Sequence, residues 1–250
     1  MKFLSITILS IAALMSPAIQ AQSPAPGAMV GGSSHIVIYH AEGRRSERIV
    51  WLCEELGIRY DLKYRSGDVA GSFADIRKVN PGMGVAPTVI YDGQLLVESG
   101  AIVQFILDRE GKGKLVPKVK SADYATHLLF MHYAEGTLAA DAVADYRVAR
   151  ATGGKAPRGE KETDGQRAMR YANDFLATHR YFGGADFTAA DIMMLFPINY
   201  AIGMNVADAS KYPNIIAWQE RVQERPAFKR MLAAARPNGR MSPPPALTVE

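Results

Sequence analysis

The chain has 250 residues, of which 48% are hydrophobic and 22% charged, so it is long enough for one large or two modest globular domains. Its formal net charge of +4 is mild and spread along the chain, which argues against a nucleic-acid partner. A Walker loop, a GxGxxG motif and zinc-type Cys/His spacing are all missing from the sequence, and the single cysteine, Cys53, excludes an intrachain disulfide framework. We therefore expect neither a metal nor a bound cofactor.

The N-terminus has the pattern of a secretory signal. Lys2 precedes an apolar run over residues 3–15, which is too short to span a bilayer comfortably, and small residues follow it. We predict a signal peptide over residues 1–21 and a flexible leader, rich in Ser, Pro, Ala and Gly, over 22–34. The mature protein would be periplasmic or secreted, free of the membrane after cleavage. An uncleaved anchor or a misassigned start codon are the alternatives.

Residues 35–112 carry alternating strand and helix patterns. A β-rich run at 35–40 precedes a helix that ends at Gly57, and a second strand alternates over residues 60–64. A strand, a helix and a strand in this order require a parallel pair with a right-handed crossover.

The sequence after a polar helical stretch at 72–79 predicts a hairpin and a last helix. Two apolar runs meet at Asp92-Gly93, a dipeptide that two-residue hairpin turns prefer. Ser99 is placed to cap the next helix, and Gly111 to end it in a left-handed conformation. The order βαβ-ββα is the thioredoxin arrangement, so we expect a thioredoxin-like domain.

The rest of the chain is predicted to be all-helical, which gives an α/β domain followed by an all-α domain. A linker at 113–122 leads into a helical domain over residues 123–236, and a disordered tail follows at 237–250. Asp191 completes an acidic capping box before an apolar helix at 192–202, which should be the buried centre of the helical domain.

Four separated motifs resemble those of glutathione transferases. They are Arg48–Gly57 (RIVWLCEELG), Val97–Ile102 (VESGAI), Met131–Gly136 (MHYAEG) and Phe187–Met194 (FTAADIMM). The chain is most similar to a subfamily with S-R-S-x-R-x-x-W-L-x-E-E-L, and the resemblance covers about residues 35–236. It implies a thioredoxin-like domain that binds glutathione as co-substrate, a helical domain that lines the site of a small electrophile, and a homodimer.

The resemblance also implies residues that hold glutathione. Pro87 resembles a cis-proline whose preceding backbone, at Val85 and Ala86, pairs with the cysteinyl unit. Glu98 and Ser99 resemble the pair that holds the γ-glutamyl end, where a carboxylate takes the ammonium and a hydroxyl with helix-start amides takes the α-carboxylate. A trans proline and a plain helix cap are the alternatives.

The residues expected to activate the sulfur depart from the motif of similar sequences. Thiolate is the nucleophile, so catalysis requires a hydroxyl donor or positive charge that lowers the thiol pKa. Similar sequences carry a serine where this chain has Arg44, and the second serine of the motif is Ser46. Ser46 is therefore the candidate hydroxyl, and Arg44 or Arg45 a candidate cation. The alternative is that both arginines point into water.

Two further expectations concern binding. Tyr133, Glu135 and Tyr146 fall on the helix that would face the cleft and are candidates for the second-substrate pocket, although core or dimer packing explains the tyrosines equally well. Similar sequences also carry a lysine near the glycyl carboxylate of glutathione. This lysine is missing here, and Arg65 is one residue that could take its place.

The predicted activity is attack of glutathione thiolate on a small electrophile. Glutathione-dependent disulfide or peroxide reduction uses the same thiolate with a different acceptor. A non-catalytic module that keeps the fold to bind a ligand or partner is the third alternative, favoured by the arginine at the serine position and by the missing lysine.

Overall fold

The computed structural model describes residues 34–153 and 162–238. The predicted signal peptide, nearly all of the leader and most of the C-terminal tail lie outside these ranges. The strands are β1 (Ile36–Tyr39), β2 (Asp61–Lys63), β3 (Thr88–Tyr91) and β4 (Gln94–Leu96). The α-helices are α1 (Glu47–Leu56), α2 (Val69–Val79), α3 (Ser99–Glu110), α4 (Asp123–Tyr133), α5 (Ala140–Ala151), α6 (Asp164–Leu176), α7 (Ala189–Gly203), α8 (Pro213–Gln223) and α9 (Pro226–Ala235).

The four strands form one mixed sheet in the order β2-β1-β3-β4. β1 pairs with β2 in parallel across the α1 crossover, and β3 pairs antiparallel with both β1 and β4. Asp92 and Gly93 form the tight turn with φ values of 48° and 86°, which is why this dipeptide suits the position. The predicted thioredoxin-like arrangement is confirmed.

The ends of α3 differ from the sequence-based expectation. The helix begins at Ser99 itself, and the flanking residue is Glu98, whose side chain makes no capping hydrogen bond. Gly111 has a right-handed φ of −68°, and positive φ values appear at the next two residues, Lys112 (48°) and Gly113 (78°). A Cβ at Gly111 would lie 2.5 Å from the Leu107 carbonyl oxygen, so close packing rather than a left-handed turn requires this glycine.

The second part of the chain is helical, as predicted. A π-helical segment, Ala134–Ala139, joins α4 to α5 without a break. The capping box before α7 is present, and the buried Asp191 carboxylate also accepts hydrogen bonds from Phe182 N at 2.9 Å and Trp218 Nε1 at 2.8 Å. Burial raises the pKa of Asp191 to about 6, against the opposing effect of these donors. α7 is buried along most of its length, so it forms the centre of the helical part.

Helix α1 joins the two parts because it packs against α3, α7 and α9. The Trp51 ring contacts Phe187 and Phe228 at centroid distances of 5.5 and 5.0 Å. Cys53 is fully buried on the same helix, and burial raises the pKa of its thiol, so it is a core residue. No helix among the described residues is both long and apolar enough to cross a membrane.

Candidate active site

The strand register brings three loops to one end of the sheet. Tyr39 pairs with Thr88, and Val89 pairs with Leu96. Continuing both registers by one or two residues puts Pro87 between His40, after β1, and Glu98, after β4. The Ala86–Pro87 peptide bond is cis, as the sequence predicted. The loop into α1, the loop before Pro87 and the start of α3 therefore lie side by side.

The start of α3 offers groups that suit a zwitterionic ligand. Glu98 has φ 68°, a conformation uncommon outside glycine, and its side chain is exposed with no hydrogen-bond or ion-pair partner within residues 34–153 and 162–238. The first intrahelical amide bond is donated by Ile102 N to Glu98 O, so the amides of the preceding turn are open. Ser99 is buried, and its Oγ accepts from Arg48 Nη1 at 2.8 Å, which leaves its O–H free to donate.

Arg48 holds the start of α3 to the helical part. Its Nη1 donates to Glu135 Oε1 at 2.5 Å as well as to Ser99, and its Nη2 donates to the Met193 carbonyl at 2.5 Å. Arg45 Nε donates to both oxygens of the same Glu135 carboxylate, at 2.8 and 2.9 Å. Burial lowers the pKa of Arg48 to about 10, and the neighbouring Glu135 charge opposes this shift.

Ser46 lies inside the protein and is not exposed at all. His40 Nε2 lies 2.9 Å from the Ala235 carbonyl oxygen, which can only accept, so this ring nitrogen carries the hydrogen. Because burial lowers the pKa of His40, the ring is neutral and its Nδ1 accepts the Ser46 O–H at 2.8 Å. Ser46 Oγ also accepts from Ala41 N at 3.2 Å. In this conformation the hydroxyl is therefore committed to protein partners, and its role at the sulfur stays a prediction.

Arg44 differs from its neighbour Arg45, which is ion-paired. Arg44 is partly buried. Among the described residues its side chain makes one hydrogen bond, from Nη1 to the Gly43 carbonyl at 3.2 Å, and pairs with no carboxylate. Glu47, one helical turn away, instead pairs with Arg236 and accepts from Gly43 N at 2.8 Å. Burial lowers the pKa of Arg44, and the nearby Glu47 charge opposes this shift.

Arg44 lines a cavity of about 370 Å³ between the start of α1 and helices α7, α8 and α9. This volume is in the range of small-molecule sites. Its walls are largely apolar, with Trp51 and Phe196 among them, and charged side chains lie near the start of α1.

The three residues predicted for the second-substrate pocket do not line this cavity. Tyr133 donates its hydroxyl to the Ala168 carbonyl at 3.0 Å, and burial raises its pKa. Tyr146 packs edge-on against Tyr200 at 6.1 Å, and Tyr200 does line the cavity. Glu135 is bound to the two arginines. Glu135 and Tyr146 thus contact residues of the cavity wall, Arg48 and Tyr200, whereas Tyr133 lines a separate shallow depression on α4.

The loop before Pro87 carries no lysine, and replacement of that lysine by Arg65 stays a prediction. Arg65 is exposed and pairs with both oxygens of Asp75, at 2.8 and 3.0 Å. Val85 is exposed, and its carbonyl accepts the Thr88 hydroxyl at 2.8 Å. Ala86 is partly buried beside it, so the backbone predicted to pair with the cysteinyl unit is accessible.

Sequence reasoning missed three residues of the site. The sequence analysis gives Arg48 no role, although its place three residues before Trp51 on the buried face of α1 is typical of a buried cation. Phe196 stacks under the Arg45 guanidinium at 4.5 Å, and the sequence predicts both it and Tyr200 only as part of the buried central helix. An all-apolar helix gives no periodic signal that separates cavity-lining positions from core positions.

Comparison with protein-family models gives two matches. Residues 38–114 match the glutathione S-transferase N-terminal domain, and residues 125–226 match the glutathione S-transferase C-terminal domain. Together these matches cover more than half of the chain.

Curated relatives agree with the family models. Glutathione S-transferase 3 of Schizosaccharomyces pombe is 32% identical over 210 residues, which cover 78% of this chain and 85% of the relative. Glutathione S-transferase 1 of Saccharomyces cerevisiae is 21% identical over 228 residues, 82% of this chain and 97% of the relative.

Solved structures support the fold. A glutathione S-transferase from Actinobacillus pleuropneumoniae has a TM-score of 0.69 at 22% identity, covering 81% of this chain and 92% of that one. A delta-class glutathione transferase from Nilaparvata lugens has a TM-score of 0.65 at 24% identity, covering 82% and 94%.

Proposed function

The chain belongs to the glutathione S-transferase family, and from this premise we propose that it conjugates glutathione to a small electrophile. The observation that carries the proposal is the start of α3. There Glu98, with φ 68°, is exposed and has no partner among the described residues, and it stands across from Pro87 beside a turn of open amides. A backbone held in an uncommon conformation next to open donors is typical of a ligand site.

The proposed binding mode follows from charge. The Glu98 carboxylate takes the γ-glutamyl ammonium, and the Ser99 O–H with the α3 amides takes the α-carboxylate. The Val85 and Ala86 backbone pairs with the cysteinyl unit. Because Arg48 already donates to Ser99 Oγ, the Ser99 hydrogen is directed to an acceptor, and a carboxylate is an acceptor only.

At the sulfur, we propose Arg44 rather than Ser46. A guanidinium without a carboxylate partner stabilises a thiolate by charge, whereas the Ser46 proton is bound to His40. Arg44→Ser tests the choice. A fall in conjugation at a pH where thiolate is limiting means that the arginine acts, and a rise means that it stands in the place of a better hydroxyl. Arg59→Ser, at an exposed position with no partner among the described residues, is the matched control.

The experiment for the function is retention on immobilised glutathione together with conjugation to 1-chloro-2,4-dinitrobenzene. Retention with conjugation supports a transferase. Reduction of disulfides or peroxides without conjugation supports the reductase alternative. Lack of retention and of all three activities contradicts the proposal.

The second candidate is a non-catalytic glutathione-binding module. One specific feature favours it: Arg44 stands where similar sequences carry a serine, and the nearby hydroxyl, that of Ser46, is buried. Retention on glutathione without turnover of any electrophile, disulfide or peroxide supports this module.

We also propose a homodimer and export. Leu128 and Leu129 on α4 are 38% and 42% exposed, and with Tyr133 they line a shallow apolar depression that a second copy would cover. The pattern of residues 1–21 supports a cleaved signal and a periplasmic or secreted protein. N-terminal sequencing of the mature chain tests the cleavage, and sedimentation tests the dimer.

A further inference from the structure

We infer that residues 111–122, named here the lysine segment, form a docking surface for a bilayer rich in anionic phospholipid. The segment lies at the end of the molecule opposite the candidate active site, so a docked protein holds that site away from the bilayer. The inference goes beyond the proposed conjugation and does not depend on it. It departs from the sequence-based expectation that the mature protein is free of the membrane after cleavage of its signal.

The excess positive charge of the chain is concentrated in the lysine segment. The segment contains no acidic residue and four lysines, which are Lys112, Lys114, Lys118 and Lys120. Of the 29 lysines and arginines in the chain, the other 25 are balanced by 25 acidic residues. All four lysines are exposed, and none of them forms an ion pair within the described part of the chain. Anionic headgroups attract such unpaired lysines.

The first half of the segment lies at the end of the sheet where β1 begins. Ser34, two residues before β1, donates its hydroxyl to Glu110 Oε1 at 2.6 Å, and Tyr91, the last residue of β3, donates to the same oxygen at 2.5 Å. Glu110 ends α3, and the lysine segment follows it directly. The candidate active site lies after β1 and before β3, at the other end of the sheet.

The second half of the segment leads into α4, which begins at the same end of the molecule. Glu135, just after α4, accepts from Arg45 near the start of α1, so α4 runs toward the candidate active site. Its own first half therefore lies at the opposite end, where His127 Nδ1 is 3.0 Å from Thr188 Oγ1 at the start of α7. The lysine segment thus connects the end of α3 with the start of α4 without approaching the active site.

The backbone of the segment is fixed by hydrogen bonds. The Leu115 carbonyl accepts from Ala189 N, the first residue of α7, at 2.9 Å. Lys114 N donates to the Gly111 carbonyl at 2.8 Å, and Ser121 N donates to the Lys118 carbonyl at 2.8 Å. Since the backbone is already ordered, docking does not have to restrict it further, and this favours binding.

Two observations favour a bilayer over a nucleic acid as the partner. Val119 is 72% exposed between Lys118 and Lys120, and an apolar side chain flanked by cations suits the boundary between headgroups and acyl chains. The residues before Ser34, which include the predicted signal, also join the folded part at this end. The basic surface is confined to the segment, because Asp61 and Asp92 lie beside His35 at the ends of the neighbouring strands.

The first test is cosedimentation with vesicles, using the protein isolated after export, with its N-terminus sequenced. Vesicles of phosphatidylglycerol and phosphatidylcholine in equal amounts should retain the protein at low salt, whereas phosphatidylcholine vesicles should not. About 1 M salt should release it, because the Debye length falls to about 3 Å. One lysine near an anionic surface strengthens binding by about fivefold, so Lys118→Gln combined with Lys120→Gln should weaken binding by about 25-fold.

Lys63→Gln combined with Lys211→Gln is the matched control, because it removes the same charge from exposed positions elsewhere. Lys63 ends β2, and Lys211 follows α7, whose end lines the cavity. This pair should change binding by less than about threefold. Equal losses in the two double variants overturn the inference, since net charge alone would then attract the protein. So does equal binding to both kinds of vesicle, or binding to a DNA duplex without binding to anionic vesicles.

The second test measures which face meets the bilayer. Cys53 is the single cysteine of the chain and is buried, so a thiol-reactive, environment-sensitive dye labels an introduced cysteine selectively. In Val119→Cys the dye emission should shift to shorter wavelength on anionic vesicles and be quenched by brominated lipid, whereas in Lys63→Cys it should not change. Equal responses in the two variants, or a response in Lys63→Cys alone, contradict the inference. Neither test uses glutathione, so failure of the conjugation assay leaves both results decisive.

Discussion

Replacement of Glu135 by Gln should destabilise the fold far more than an ordinary ion-pair mutation. Arg48 is almost fully buried, and its remaining acceptors would be Ser99 Oγ, the Met193 carbonyl and the amide oxygen of the introduced glutamine, none of which carries a charge. Removing one partner of a buried pair leaves an uncompensated buried charge, at a cost of about 3–5 kcal/mol. The Glu135 side chain is 33% exposed, so solvent screening reduces the expected loss to about 2–3 kcal/mol.

Urea unfolding followed by circular dichroism measures this loss, and for a chain of this size the melting temperature should fall by roughly 5–10 °C. Glu162→Gln is the matched control, because Glu162 pairs with Arg170 on the surface and should cost less than about 1 kcal/mol. Arg48→Met combined with Glu135→Gln should recover part of the loss, since it removes the unpaired charge. A loss for Glu135→Gln as small as that of the control would refute the reasoning.

Three further predictions concern other parts of the molecule. Burial lowers the pKa of His127 to about 4, so as the pH falls the unfolded chain takes up a proton before the folded chain does. The free energy of unfolding should therefore fall by roughly 2–3 kcal/mol as pH drops from 6.5 toward 4. His127→Gln should flatten this pH dependence of the urea midpoint, and an unchanged pH dependence contradicts the prediction. Ser46→Ala should lower the free energy of unfolding by about 1–2 kcal/mol, because His40 Nδ1 and Ala41 N lose their hydrogen-bond partner. The pKa of the bound glutathione thiol should stay as in the wild type. A raised thiol pKa would assign the catalytic role to Ser46 instead of Arg44. Leu129→Glu should shift sedimentation from dimer to monomer, whereas Val119→Glu, at an exposed residue outside the α4 depression, should not.

The sequence predicts well those features that nearby residues determine. Asp92-Gly93 specifies its turn, Gly57 ends α1 at φ 69°, and Thr188 with Asp191 closes a capping box within four residues. Each depends on local backbone chemistry, which a single sequence displays directly.

The features that the sequence does not reveal depend on distant partners. In the sequence, Ser46 resembles a free hydroxyl. In the structure the hydroxyl is bound by His40, and the His40 ring is held in place by the carbonyl of Ala235, 195 positions further along the chain. Arg44 and Arg45 are equivalent in the sequence, and only the position of Glu135, 90 residues beyond Arg45, distinguishes the paired arginine from the unpaired one. The cavity walls come from four helices, so no local pattern marks them.

Calorimetric titration with glutathione tests the central claim, that the Pro87 loop and the start of α3 together bind a γ-glutamyl peptide. The wild-type protein should bind glutathione at one site per chain, and Glu98→Gln should weaken binding by about tenfold or more through loss of a charged hydrogen bond. Asp108→Asn, near the other end of α3, should bind as the wild type does. A folded wild-type protein that binds no glutathione, or a Glu98→Gln variant that binds it equally well, would contradict the claim.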